Sequence, residues 1–247
     1  MQSLARGLSV IRAFSAERPE MTLAEVARQT GMTRATVRRL LFTLEALGYA
    51  KFDGKRFSLT PAVLDIGYAY LSSLDLASIA QPEMEALVDR THESTSAAVL
   101  DGAEIVYVVR VPTKRIMTIS LGLGSRLPAH ATSMGRVLLA DLSIDQLDAH
   151  LPQGPWPSFT AQTIVDRETL IIELQRVRDD GWALVDQELE EGVRSVAAPL
   201  RDRSGKTVAA LNISSHAGRI DKGVLLNEFL PDLMQTAERI NERLRRR

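Results

Sequence analysis

Residues 22–54 read TLAEVARQTGMTRATVRRLLFTLEALGYAKFDG, and their spacing predicts two short helices followed by a hairpin. Thr22 and Glu25 stand at capping-box separation, in which the Thr hydroxyl and the Glu carboxylate each accept from the other residue's backbone amide. Leu23, Val26 and Ala27 supply a buried face, and Gly31 supplies the left-handed residue that ends the helix. Thr33 caps a second helix, where Val37, Leu40, Leu41, Leu44 and Leu47 recur every three or four residues as one apolar stripe. Its opposite face carries Arg34, Ala35, Thr36, Arg38 and Arg39. Asp53-Gly54 signals a two-residue type I′ turn between Tyr49-Ala50-Lys51-Phe52 and Lys55-Arg56-Phe57-Ser58-Leu59.

A second helix with a dense apolar stripe, a basic outer face and small polar residues in its first turn suits a DNA major groove, N-terminal end first. Arg bonds a guanine edge bidentately or holds phosphate, and Thr does either more weakly. Lys51, Lys55 and Arg56 fall on the hairpin, where a wing would meet the phosphate backbone. The alternative is an ordinary helical hairpin that its arginines merely keep in solution, and the basic wing argues against it. The candidate DNA contacts are Thr33, Arg34, Ala35, Thr36, Arg38, Arg39, Lys51, Lys55 and Arg56.

Charge is divided accordingly. Residues 1–60 hold ten Lys+Arg against five Asp+Glu, a net of +5, and the remainder holds 20 against 26, a net of −6. A basic head on an acidic body implies that only the head touches nucleic acid. The 247 residues suit one large or two modest domains. No apolar run reaches the roughly 18 residues of a membrane span, and MQSLARGLSV lacks a signal-peptide core, so a cytoplasmic protein without a membrane partner is expected. With no cysteine, disulfides, thiol catalysis and Cys-ligated zinc are excluded.

Outward from the head, residues 3–16 predict a first helix with Leu4, Leu8, Ile11 and Phe14 on one side. After Thr60-Pro61, residues 62–72 read as a linker helix carrying Leu64, Tyr68 and Leu71 on one stripe. The expected division is 1–60 DNA-binding, 61–74 linker helix and 75–247 effector-binding and oligomerisation. In the body, residues 75–92 are helical, with Ile79, Met84, Leu87 and Val88 as core candidates. STSAAVLDGAEIVYVVRV and RIMTISLG then contain strands, with Asp101-Gly102 as a hairpin signal. Two short helices follow at 132–140 and 143–150, then the Pro-rich loop PQGPWPSFT and an amphipathic helix over 166–180. GWALVDQE, RSVAAPLRD and TVAALNISS are strands, and residues 221–246 close the chain as a helix that Pro231 starts or kinks. The fold class is α+β: a winged helix-turn-helix joined by a linker helix to an α/β body with a mainly antiparallel sheet.

One stretch of the body has the pattern of a small-molecule cradle. LGLGSRLPAHATSMGRVLLA passes from a strand end through a loop into a helix, with Thr132 or Ser133 near its cap. Such a helix start aims unpaired N–H groups at whatever lies before it, which suits a carboxylate or phosphate. Asn212 and Ser214 share a face of an otherwise apolar strand, and Ser195 interrupts another. Buried groups of this kind need partners, and neighbouring backbone, water or a ligand can serve. His130 lies near the cradle and either donates to an anion or packs in its loop; Arg110, Arg126, Arg194 and Arg219 are further carboxylate partners or salt-bridge residues. Enzyme patterns fail: Gly205-Lys206-Thr207 has Leu200 where a P-loop needs its first glycine, and GLGSRL lacks the third glycine of a dinucleotide site. No serine stands in a nucleophile elbow, and the four histidines show no metal-binding spacing, so no enzyme, cofactor or metal is expected.

The run SLARGLSVIRAFSAERPEMTLAEVARQTGMTRATVRRLLFTLEALGYA resembles the winged helix-turn-helix of the IclR family of bacterial transcription regulators. GVRSVAAPLRDRSGKTVAALNIS resembles the C-terminal signature of that family's effector domain, so the likeness covers nearly the whole chain. The resemblance implies a regulator that binds a double-stranded DNA operator and a small carboxylic acid, as a homodimer or a dimer of dimers. By position it assigns Ser133 and Met134 to the helix start that meets the effector carboxylate, and Ser195, Asn212 and Ser214 to polar pocket positions. It also assigns Asp186, with a one-residue ambiguity, to an acidic pocket position. Family members often carry Cys or Ser at Ser195 and Ser at Asn212, so the asparagine here leaves the identity of this chain's effector open. PAHATSMGRVLLA is most similar to the subfamily controlling protocatechuate and β-ketoadipate pathway genes, which implies control of aromatic-acid catabolism with an aromatic acid or its ring-opened product as the signal. Two rivals stand beside this reading: a constitutive architectural DNA-binding oligomer, and a DNA-tethered enzyme.

Overall fold

The computed structural model describes residues 2–73, 76–113 and 121–246, with the side chains of 69–73 excepted. The chain divides into two units, Met1–Leu74 and Asp75–Arg247.

In the first unit, α1 (Gln2–Arg12) precedes a two-residue strand β1 (Glu20–Met21), α2 (Leu23–Thr30) and α3 (Arg34–Ala46). Strands β2 (Ala50–Phe52) and β3 (Phe57–Leu59) follow, then α4 (Val63–Ser73). The capping box is present: the Thr22 amide donates to Glu25 at 2.7 Å, and the Glu25 amide donates to the Thr22 hydroxyl at 3.3 Å. Gly31 ends α2 at φ 66°, and the Thr33 hydroxyl caps α3 by accepting from the Thr36 amide. Val10, Ala13, Met21, Val26, Val37, Leu41, Leu44 and Phe57 make the core of this unit.

Four details depart from expectation. The first helix stops at Arg12, and its inward residues are Val10 and Ala13; Ile11 and Phe14 are half-buried, while Leu4 and Leu8 are exposed. Leu47 is the exposed C-cap of α3, one position beyond the packed stripe. The β1 strand, too short to show a period, pairs with β3 and makes the wing three-stranded. The hairpin register pairs Phe52 with Phe57, so the loop has four residues with Gly54-Lys55 at its centre. The Asp53 carboxylate accepts from the Lys55 and Arg56 amides at 2.8 and 2.7 Å, and Gly54 alone has positive φ, where a type I′ turn needs two such residues. On α4, Leu64 and Tyr68 are exposed, and the Leu71 side chain lies outside the described residues.

The second unit opens with α5 (Leu76–Thr91), in which Ile79, Met84 and Leu87 are buried and Val88 half-buried. Strands β4 (Ser94–Asp101) and β5 (Glu104–Val111) form a hairpin closed by Asp101 pairing with Glu104, with Gly102 at φ 60° in the turn. The expected strand in RIMTISLG falls almost wholly outside the described residues. Strand β6 (Arg126–Pro128) leads through a 3₁₀ turn (Ala129–Ala131) into α6 (Ser133–Ala140), followed by α7 (Ile144–Leu147) and α8 (Arg167–Asp180). Strands β7 (Ala183–Asp186), β8 (Val193–Arg201) and β9 (Thr207–His216) complete the sheet. A short α9 (Lys222–Val224) passes through a π turn over Leu225–Phe229 into α10 (Leu230–Arg245). Pro231, which has no N–H to extend a preceding ladder, stands at the start of α10.

The six strands run in the order β6-β5-β4-β9-β8-β7, each neighbouring pair antiparallel. Residues alternate between faces. Ala98, Tyr107, Ala197 and Ala210 share a core with Met134, Leu138, Leu170 and Leu174 of α6 and α8. The intervening residues Val196, Ala198, Leu211 and Ile213 are buried as well, on the side where α5 and α10 pack.

Candidate DNA-reading surface and effector cavity

The basic residues of the head reach solvent because α3 buries only its other side. Thr33, Arg34, Ala35, Arg38 and Arg39 are exposed and Thr36 half-buried, as are Lys51, Lys55 and Arg56 exposed on the hairpin. Among the described residues none of these six cations of α3 and the wing is ion-paired. Cations without an ionic partner on one surface suit phosphate, because no ion pair must break on binding. An aromatic cluster ties helix to wing: Phe42 meets Phe52 and Phe57 edge-on at 5.8 and 5.5 Å, and those two stack at 4.4 Å. The Arg38 guanidinium lies over the Phe42 ring at 5.5 Å, which restrains where it points.

The body encloses a cleft with about 560 Å³ of empty space measured out to its mouth, lined among others by Ser133, Met134, Ser195, Asn212 and Ser214. Five of the seven effector positions expected from sequence therefore meet at one place. The strand register brings the polar ones together, since Ser195 pairs with Ser214 and Ser96 with Asn212. Ser133 and Ser195 share a hydrogen bond of 2.9 Å, joining the start of α6 to the sheet. The Asn212 side-chain oxygen accepts from the Ser96 amide at 3.0 Å. At the helix start, the Thr132 hydroxyl accepts from the Gly135 amide, and the Arg136 amide donates to the Thr132 carbonyl. The Ser133 and Met134 amides find no acceptor among the described residues.

The remaining two lie elsewhere. Asp186 follows Val185, and only Val185 lines the cleft; alternation turns Asp186 to the other face, where Arg194 Nε donates to it at 2.8 Å. His130 is buried beside Trp156 and Phe159, at ring distances of 5.2 and 6.1 Å, and neither ring nitrogen has a partner among the described residues. Burial, with a smaller contribution from the nearby Arg136 cation, pushes His130 down to about 4. A neutral imidazole facing two aromatic rings is a packing residue, outside the cleft lining. Of the other arginines, Arg126 pairs with Asp101 and Glu104, Arg194 with Asp186, and Arg219 with Glu93, while Arg110 donates to the Ser96 hydroxyl.

Sequence reasoning missed several residues. Tyr107, hidden in the apolar strand EIVYVVRV, lines the cleft, and burial pushes its phenol up to about 12. Glu190, from a turn with no pattern of its own, lines it too. Arg136 is 1% exposed in the middle of α6 and makes a bidentate ion pair with Glu188; its Nε donates to the His130 carbonyl at 3.0 Å. Its only signal was a charge in SMGRVLLA, a helix with no polar face. Gly135 permits the close crossing of the 3₁₀ turn: a Cβ there would sit 2.0 Å from the Ala129 carbonyl oxygen.

Comparison with known proteins matches residues 3–54 to the IclR helix-turn-helix domain and residues 68–242 to the bacterial transcriptional regulator IclR C-terminal domain. The chain belongs to the IclR family. It is a DNA-binding transcriptional regulator, and not an enzyme. The Pca regulon regulatory protein of Pseudomonas putida is 46% identical over 95% of this chain and 81% of its own length. A transcriptional regulator from Rhodococcus sp. RHA1 shares 52% identity and superposes with a TM-score of 0.88 over 99% of this chain and 98% of its own. The inducer-binding domain of PobR from Acinetobacter, a double mutant in complex with 3-hydroxybenzoic acid, is 34% identical with a TM-score of 0.62. That match covers 67% of this chain and 97% of the PobR domain. Among the described residues no helix is long and apolar enough to cross a membrane.

Proposed function

We propose that this regulator controls aromatic-acid catabolism genes in the cytoplasm and that its effector is a small aromatic acid held in the cleft of the second unit. The observation that carries the reading is the pair of free amides, Ser133 and Met134, opening onto a mostly apolar cleft beside Ser195, Asn212 and Ser214. A carboxylate accepts from the two amides and gains from the helix dipole, while an aromatic ring displaces water from the apolar walls. The 46% identity to a Pca regulon regulator and the 3-hydroxybenzoate complex of PobR support this class of ligand.

Residues 1–60 serve as the DNA-binding domain, 61–74 as the linker helix and 75–247 as the effector and oligomerisation domain. A homodimer, or a dimer of such dimers, presents α3 to successive major grooves, with Thr33, Arg34, Ala35, Thr36, Arg38 and Arg39 toward the bases and phosphates. Lys51, Lys55 and Arg56 hold the backbone beside them. The acid shifts DNA affinity only by as much as it prefers one arrangement of the protein over another.

The test is operator affinity, on duplexes selected from a random pool, with and without 4-hydroxybenzoate, protocatechuate and β-ketoadipate, where a response to the open-chain diacid alone would overturn the aromatic-acid reading. At a hundred times its dissociation constant a true effector adds about 2.7 kcal/mol to stability. Arg38→Ala is expected to weaken operator binding by about 1–3 kcal/mol while leaving the acid-induced thermal shift intact. An operator affinity indifferent to every acid, with no thermal shift, would point instead to a constitutive architectural protein.

A further inference from the structure

Beside the serine and threonine hydroxyls, which both donate and accept, the cleft lining holds groups free to donate and one that only accepts. Two are donors: Tyr107 is 5% exposed and its hydroxyl has no partner among the described residues, and the Asn212 amide nitrogen is likewise free among them, its oxygen being occupied by the Ser96 amide. Tyr107 stays protonated throughout the physiological range, since burial holds its phenol near 12, so it can donate. The free Ser133 and Met134 amides add to that set. The single acidic group of the lining is Glu190, half-buried, with neither ion pair nor hydrogen bond to its carboxylate among the described residues.

Position separates the two kinds. Ser195 touches Ser133 at the start of α6, and Val193, two residues earlier on the same face of β8, also lines the cleft. Two residues of strand span about 6.6 Å. Glu190 lies one turn beyond Val193, whose amide donates to the Glu190 carbonyl at 3.2 Å. The acceptor therefore sits past the far end of a segment comparable to a benzene ring with its substituents, away from the donors at the helix start.

We propose that Glu190 is a specificity residue that reads a hydroxyl on the end of the effector remote from its carboxylate, selecting a hydroxylated mono-acid over an unsubstituted acid or a diacid. This rests on the cleft being the effector site. A phenolic hydroxyl donates to the Glu190 carboxylate; a bare C–H leaves that carboxylate desolvated without a partner; a second carboxylate meets a like charge.

The experiment is calorimetric titration of the full chain with 4-hydroxybenzoate, 3-hydroxybenzoate, benzoate and terephthalate, repeated on Glu190→Gln and checked by the fold's thermal transition. The Glu190 carboxylate holds no bond among the described residues, so the isosteric variant is expected to fold as the parent does. The parent is expected to prefer a hydroxybenzoate over benzoate by about 10-fold or more, and to bind terephthalate most weakly. Glu190→Gln is expected to gain about 10-fold or more for terephthalate and to lose most of the preference over benzoate. A parent that binds these ring acids with ratios unchanged by Glu190→Gln overturns the role of Glu190 alone. A parent that binds none of them overturns both this role and the aromatic-acid reading of the cleft.

Discussion

Removing the Glu188 carboxylate should cost the second unit a large part of its stability. Glu188 accepts from Arg136 Nη1 at 2.7 Å, from Arg136 Nη2 in a second, shorter contact, and from the Ile164 amide at 3.4 Å. Glu188→Gln keeps the shape but turns an NH₂ toward one guanidinium nitrogen, donor against donor, and strips a buried cation of its full counter-charge. Breaking one side of a buried ion pair costs about 3–5 kcal/mol. Glu173, 3.7 Å from Arg136 Nη1, retains part of the compensation, so the lower end of that range is expected. For a protein of this size each kcal/mol moves the midpoint by about 2–4 °C, so the transition should fall by about 6–12 °C. Both tryptophans, Trp156 and Trp182, belong to this unit, so tryptophan fluorescence during heating reports on it without interference from the head. The double variant Arg136→Met/Glu188→Leu leaves no orphaned charge and should recover most of the loss, giving a large coupling in the double-mutant cycle. A midpoint for Glu188→Gln within about 2 °C of the parent would refute the claim that this pair pins α6 to the turn over residues 187–192.

Two further outcomes follow from the same region. His130 is pushed down to about 4 from 6.5, so below pH 6.5 the unfolded chain takes up a proton that the folded chain refuses. Stability is therefore unaffected above pH 6.5 and declines as pH falls toward 4, by about 3 kcal/mol in all. His130→Phe should flatten that part of the profile, and a denaturation series from pH 7 to 4 on parent and variant gives the difference free of the carboxylates. Gly135→Ala places a Cβ 2.0 Å from the Ala129 carbonyl oxygen, which backbone on both sides prevents from yielding. It should destabilise by about 3 kcal/mol or more and abolish acid-induced thermal shifts, measured by scanning calorimetry with and without 4-hydroxybenzoate.

Much of the head is legible in the sequence because its signals are local. Thr22 and Glu25, Gly31 and Thr33 act within four residues of themselves, so caps and stops were legible, and the 3.6-residue stripe of α3 set its buried side. Asp53-Gly54 announced a hairpin, but its register depended on pairing Phe52 with Phe57 under Phe42, a contact spanning helix and strand. Likewise Leu4 and Leu8 had helical spacing, yet spacing does not say which turns another element covers.

The sequence by itself determined the family, the winged helix-turn-helix, the antiparallel body and the polar residues that interrupt its apolar strands, because caps, period and turn residues act over short range. Only the tertiary structure decided which of those residues meet. Antiparallel pairing puts Ser195 beside Ser214 and sends Val185, rather than Asp186, into the cleft, since a strand alternates its faces and one residue of register reverses them. It also put Tyr107 and Glu190, far apart in the chain, at one cleft and buried Arg136 against Glu188, a contact made across 52 residues of chain. No local pattern encodes such separations; they exist only once the sheet has closed its register and α6 has packed upon it.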